Sequence, residues 1–256
     1  MKINPASLVS RCLIAMALAA SFSTLASAQN GNIRSITFVT VKADRIGDFQ
    51  AELKEVHALM KKDKSTRYSS IWMSLTGPRE YAIVSYHNKW SELDEGADTA
   101  TKDDAADLAR LQTRMVDCAS SWRRTIDEIQ PDLSLPQTTT ELPKMVRVLT
   151  TLVRADKYQD YLDLIKSDVL PAAKKGGLTT YMFSETRFGA PNTQVTSVIA
   201  MDKWAELDEP FGIEKALGKD GYKALLGKVR PLIIQSEVNE YRFQPELSYL
   251  AAGPAK

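Results

Sequence analysis

The block Lys89-Trp90-Ser91-Glu92-Leu93-Asp94-Glu95 returns as Lys203-Trp204-Ala205-Glu206-Leu207-Asp208-Glu209, an offset of 114 residues. The same offset carries Leu111 onto Leu225 and Gln130-Pro131-Asp132-Leu133-Ser134 onto Gln244-Pro245-Glu246-Leu247-Ser248. Upstream, Lys42-Ala43-Asp44 matches Arg154-Ala155-Asp156, Asp48 matches Asp160 and Gly77 matches Gly189, at an offset of 112. The difference falls at Gly77-Pro78 against Gly189-Ala190-Pro191, where a turn absorbs it. A long-period repeat of this kind reads as a duplication, so whatever one half folds into, the other must fold into as well.

Each half reads β-α-β-β-α-β. In the first, Ile36, Phe38 and Thr40 alternate with Thr37, Val39 and Val41, the period of a strand. Asp44 is the expected cap of a helix whose apolar stripe is Ile46, Phe49, Leu53, Val56 and Met60. Strands are expected over 68–76 and 81–87, with Asn88 capping a short acidic helix. A longer helix over about 104–120 and a strand over 122–129 complete the unit. The second half repeats this with a strand over 145–153. Asp156 and Gln159 are expected to form a capping box, and Pro171 to end or kink the helix that follows.

Ile71, Met73 and Leu75 lie on one parity of their strand, Tyr68 and Trp72 on the other, so the sheet is apolar on both faces. Something must cover its open face, and the tethered twin is the nearest candidate. The expected architecture is α+β: two tandem ferredoxin-like units, 32–135 and 144–248, packed sheet to sheet as a pseudo-dimer. A linker over 136–143 joins them, and 249–256 is a tail.

Lys2 and Arg11, the apolar run 13–20 and Ala26-Ser27-Ala28 read as a cleaved bacterial signal peptide over 1–28, which places the protein in the periplasm or outside the cell. The run is too short to be a membrane span. Removal of the leader also removes Cys12 and leaves Cys118 alone, expected buried and inert. With 33 basic and 32 acidic residues, the chain has no electrostatic footprint for nucleic acid.

The element order, with a Trp opening an acidic segment just after the third strand (His87-Asn88-Lys89-Trp90-Ser91-Glu92 and Met201-Asp202-Lys203-Trp204-Ala205-Glu206), resembles the dimeric α+β barrel superfamily. Within it, the chain resembles in particular the antibiotic-biosynthesis-monooxygenase-like group, in a tandem-fused form. The resemblance implies a fold, a pseudo-dimeric α+β barrel of the two units, and not one activity: the group includes cofactor-free oxygenases, haem-degrading enzymes and members without a known reaction. Haem-degrading relatives carry a histidine on the helix after that Trp. Here 91–111 and 205–225 contain none, and the second unit has no histidine at all. No cofactor is therefore expected.

His57 and His87 are the catalytic candidates; the plainer reading of both is a surface or capping role, and the functional one makes His87 a general base near neutral pH. No HxxxH or HExxH spacing supplies a metal site, and GxSxG, P-loop and GxGxxG motifs are absent. Tyr68, Trp72, Tyr86, Trp90, Tyr181 and Trp204 are core residues by default. Their alternative role is to line an apolar pocket in the sheet–helix layer. The first functional reading is an exported small-molecule-binding or scaffold module without catalysis. The alternative is a cofactor-free monooxygenase-like enzyme, or a remnant of one, acting on a hydrophobic small molecule in a pocket of the first unit. Further self-association of the fused pair is left open.

Overall fold

The computed structural model describes residues 31–63, 65, 68–77, 79–94, 102–136 and 141–250. The signal-peptide reading, residues 137–140 of the linker and 251–256 of the tail lie outside the described residues.

The strands are β1 (Ile33–Val41), β2 (Ser70–Ser74), β3 (Glu80–His87), β4 (Ala119–Ile129), β5 (Met145–Val153), β6 (Tyr181–Phe188), β7 (Gln194–Met201) and β8 (Ile233–Phe243). The helices are α1 (Ile46–Lys62), α2 (Lys102–Cys118), α3 (Tyr158–Leu164), α4 (Leu170–Lys175) and α5 (Ile213–Val229). All strand pairs are antiparallel and close into one barrel in the order β1-β3-β2-β8-β5-β7-β6-β4.

This corrects the expected fold class: the chain does not form two separate ferredoxin-like units lying sheet against sheet. Two such sheets would leave four edge strands with unpaired backbone, and free edges are a liability. Instead β4 pairs with β6 from Ile126↔Phe188 to Ile129↔Ser184, and β2 pairs with β8 from Trp72↔Phe243 to Ser74↔Tyr241. Beyond those seams the N-terminal parts of β4 and β8 rise past the rim, paired on one side only, to β1 and β5.

The two apolar faces of each strand point to different places. Outward, Val39, Ile71 and Tyr81 meet Phe49 and Leu53 of α1 and Met115 and Cys118 of α2. Val153, Phe183 and Val195 meet Tyr161, Ile165, Val169 and Leu225 in the same way. Inward, Ile36, Trp72, Val84, Val146, Val198 and Tyr241 form a third cluster inside the barrel.

Local expectations fail where backbone geometry overrides a side-chain signal. Neither Asp44 nor Asp156 caps a helix: each sits in a 3-10 turn, and the helices start at Ile46 and Tyr158. Gln159 bonds Asp163 at 2.9 Å instead of closing a box. Lys89, not Asn88, precedes the short 3-10 turn Trp90–Leu93. Pro171 does not end its helix, because a π turn over Ile165–Val169 widens the spiral just before it, and Pro171 enters at the start of α4.

Candidate functional site

The barrel encloses a cavity of about 1440 Å³ with walls from all eight strands. Its waist is apolar, formed by Ile36, Val84, Val146, Val148, Met182 and Val198. Polar groups gather at the two ends.

At one end, Arg34 of β1 stands opposite Asp127 of β4 in the ladder. Arg34 Nη2 donates to Asp127 Oδ2 at 2.7 Å and to Ser184 Oγ of β6 at 2.8 Å, so the cluster bridges the β4–β6 seam. Arg34 is 3% exposed and Asp127 1%. Burying two charges is costly, and only complete pairing offsets it. Here pairing is incomplete: Arg34 Nε and Asp127 Oδ1 are buried with no protein partner. One donor and one acceptor are thus left at the polar end of an apolar cavity. The Tyr86 hydroxyl joins them. Burial raises its pKa above the usual tyrosine value, opposed by the charge and hydrogen bond of Arg34, so it stays protonated. Tyr68 packs edge-on to Tyr86 at 6.0 Å.

Nearer the rim, the Tyr241 hydroxyl donates to Glu80 Oε1 at 2.6 Å, and Arg123 Nη2 reaches the same oxygen at 3.4 Å. Burial first, then the Glu80 carboxylate, raise the Tyr241 pKa.

The expected site residues scatter. Trp72 and Tyr86 line the cavity. Tyr68 is buried beside it. His57 is buried on α1, outside the barrel wall, where it hydrogen-bonds the Leu247 backbone and sits 6.0 Å from the Tyr249 ring. His87 ends β3 with Nδ1 3.9 Å from Glu92 Oε2. Neither histidine lines the cavity. Trp90 is exposed, edge-on to Phe188 at 5.7 Å. Tyr181 is buried under the second half's helices, its hydroxyl 3.1 Å from Ser197. Trp204 is exposed beside a minor pocket of about 390 Å³ with Phe243 and Arg242.

The expected pocket in the sheet–helix layer of the first half is therefore replaced by the barrel lumen, because that layer is filled by Phe49, Leu53, Tyr81, Met115 and Cys118. Tyr249, at the start of the expected tail, pairs with Ser69, and its hydroxyl donates to Ser65 O at 2.7 Å. Among the described residues, no three His, Cys, Asp or Glu side chains are grouped to hold a metal, and no helix is long and apolar enough to cross a membrane.

Arg34, Asp127 and Glu80 were not singled out from the sequence, and Arg123 reads there only as half of a solvated basic pair with Arg124. The signal was available: each lies on the parity of its strand that carries Ile36, Val84 or Ile129, so a charge there faces inward.

No family model and no curated protein matches the chain. Solved structures do. A Fusobacterium nucleatum protein assigned as a monooxygenase is similar at a TM-score of 0.59 with 10% identity, over 82% of this chain and 91% of that one. An anthrone oxidase-like protein is similar at 0.56 with 14% identity, over 90% and 99%. A chlorite dismutase from Candidatus Nitrospira defluvii, bound to imidazole, is similar at 0.51 with 7% identity, over 85% and 93%. The expectation of a module without catalysis gives way to these neighbours, named for oxidative enzymes, and to the preformed lumen with its buried polar end. At such identities the likeness establishes one thing: the chain has the fold of the dimeric α+β barrel superfamily.

Proposed function

We propose that the protein is a monooxygenase-like enzyme that binds a hydrophobic small molecule in the barrel lumen and oxidises it without a cofactor. The observation that carries this is the apolar waist ending on Arg34 and Asp127, each buried with one polar atom unmet. Asp127 Oδ1 accepts an acidic hydrogen of the substrate. Arg34 Nε and the Tyr86 hydroxyl hold the oxygen on which the resulting negative charge collects. Dioxygen then takes one electron from that anion, and the two radicals join through a new carbon–oxygen bond. The peroxide takes the proton back from Asp127 and loses water, so one oxygen atom ends in a product carbonyl and the other in water, in line with the oxidative enzymes named among the structural neighbours.

The test uses two probes. N-phenyl-1-naphthylamine should bind one molecule per chain and be excluded by Val148→Trp. With anthrone as substrate probe, the protein should consume oxygen, and Asp127→Asn should lower the rate by at least about a hundredfold while still binding the naphthylamine. Oxygen uptake equal to that of buffer overturns the enzymatic reading.

The halves 32–135 and 144–248 are proposed to be fused copies of one ancestral unit. Equivalent hydrogen bonds support this: Leu135 N–H to Tyr181 O and Tyr249 N–H to Ser69 O, both 2.8 Å, stand at the offsets of 114 and 112 found in the repeat. The leader reading places the enzyme beyond the inner membrane, and N-terminal sequencing of protein from its own host tests it.

A further inference from the structure

The rim end of the lumen carries a cation in a different condition from Arg34. Arg123 stands opposite Phe38 in the β1–β4 ladder, four residues along β4 from Asp127, roughly 13 Å of strand away. Its guanidinium sits over the Phe38 ring, Cζ 3.5 Å from the centroid, and 57% of its side-chain surface is exposed. The ring holds the charge at the mouth of the cavity.

Among the described residues its ionic contact is with Glu80, and that contact is expendable. Arg123 reaches Glu80 at 3.4 Å, but the same oxygen already accepts the 2.6 Å bond from Tyr241, which Glu80 keeps whether or not Arg123 stays. A guanidinium carries five N–H donors, and Glu80 engages Arg123 through Nη2. Arg34, by contrast, is locked between Asp127 and Ser184.

The repeat supplies a second observation. At the offset of 114, the position of Arg123 in β4 is held in β8 by Glu237, which also lines the cavity and is exposed. The two strands that rise past the rim thus present opposite charges to the lumen. Arg124 does not alter this, since its guanidinium is engaged by Ser35 Oγ at 3.1 Å. An anion at the mouth is drawn to the β4 side and repelled from the β8 side, so an elongated guest has a preferred direction.

We propose that the natural guest is an amphipathic anion: an apolar body in the waist, with a carboxylate or sulfonate held at the rim by Arg123. This rests on the lumen being the binding site, and the experiment separates the two claims. N-phenyl-1-naphthylamine and 1-anilinonaphthalene-8-sulfonate share one aromatic body and differ by the sulfonate. The intact protein should bind the sulfonate about tenfold more tightly than the neutral amine. Arg123→Gln should remove that preference and leave the amine within twofold, while Arg123→Lys keeps most of it. Decanoate should displace the probe at lower concentration than decanol. Val148→Trp should exclude both probes, which distinguishes the lumen from the exposed Trp122 and Phe188 surface. Equal affinity for the two probes, or a preference that survives Arg123→Gln, overturns the anion proposal and leaves the lumen reading standing. Failure of the amine to bind, or binding that ignores Val148→Trp, overturns the lumen reading itself.

Discussion

Arg34 and Asp127 face each other across the β1–β4 ladder with Nη2 and Oδ2 2.7 Å apart, and water reaches almost none of either side chain. Removing one partner strands the other's charge in the barrel wall. Asp127→Asn keeps the shape and should lower stability by about 3–5 kcal/mol, read as a drop in the urea midpoint. The double variant Arg34→Met with Asp127→Leu should recover most of that stability and still fail to oxidise anthrone. A single variant as stable as the parent would mean that the pair is hydrated in solution.

A second prediction concerns the β4–β6 seam. Gly189 has φ +84°, and a Cβ there would stand 2.0 Å from the Arg124 carbonyl oxygen. Gly177 has φ +79° with nothing within 4 Å of such a Cβ. Gly177→Ala should show backbone strain alone, about 1–2 kcal/mol. Gly189→Ala should lose clearly more, because the strand backbone itself must move. Thermal midpoints of the two variants make the comparison, and equal losses would refute the contact.

Acid should weaken the protein through His57. Burial pushes its pKa from 6.5 down to about 4, with the Leu247 backbone bond opposing. Above pH 6.5 the ring is neutral in both folded and unfolded chains. Between 6.5 and about 4 the unfolded chain takes up a proton that the folded one refuses, so stability falls with pH through that window by about 3 kcal/mol in all. Urea titrations at pH 7 and pH 4.5 read the effect, and His57→Gln should flatten that part of the profile. An unchanged profile would place His57 in contact with water.

Expressed alone, residues 32–135 should not persist as a monomer with the parent's urea resistance. The inward faces of Ile36, Trp72 and Val84 and the free edges of β2 and β4 would all meet water. Native mass spectrometry should find dimers or larger species.

The strands and their two apolar faces were legible because alternation reports which side chains are dry: 145–153 coincides with β5, and Trp72 and Ile71 do point to opposite layers. Closure of the two sheets into one continuous ring was not legible in the side-chain pattern, and a barrel entered only through the family resemblance. The β2–β8 and β4–β6 seams are made by backbone groups, which every residue possesses, so side-chain patterns carry no trace of them. The candidate site was legible only in part, through Trp72 and Tyr86, for a related reason. His57 and His87 attract attention by residue type, yet they sit on a helix packed outside the wall and at a strand end. Arg34 and Asp127 look like ordinary solvated charges until each is assigned to the inward parity of its strand and the two strands are paired.

Of the four tryptophans, Trp72 is 7% exposed while Trp90, Trp122 and Trp204 are 39–44% exposed. Trp72 also lies on the β2–β8 seam, its ring 5.1 Å from Phe243. Nature has therefore placed a built-in optical reporter at one of the two joints of the ring. Any loosening of that joint shifts the emission of a single indole to longer wavelength, while the three already-hydrated ones stay silent.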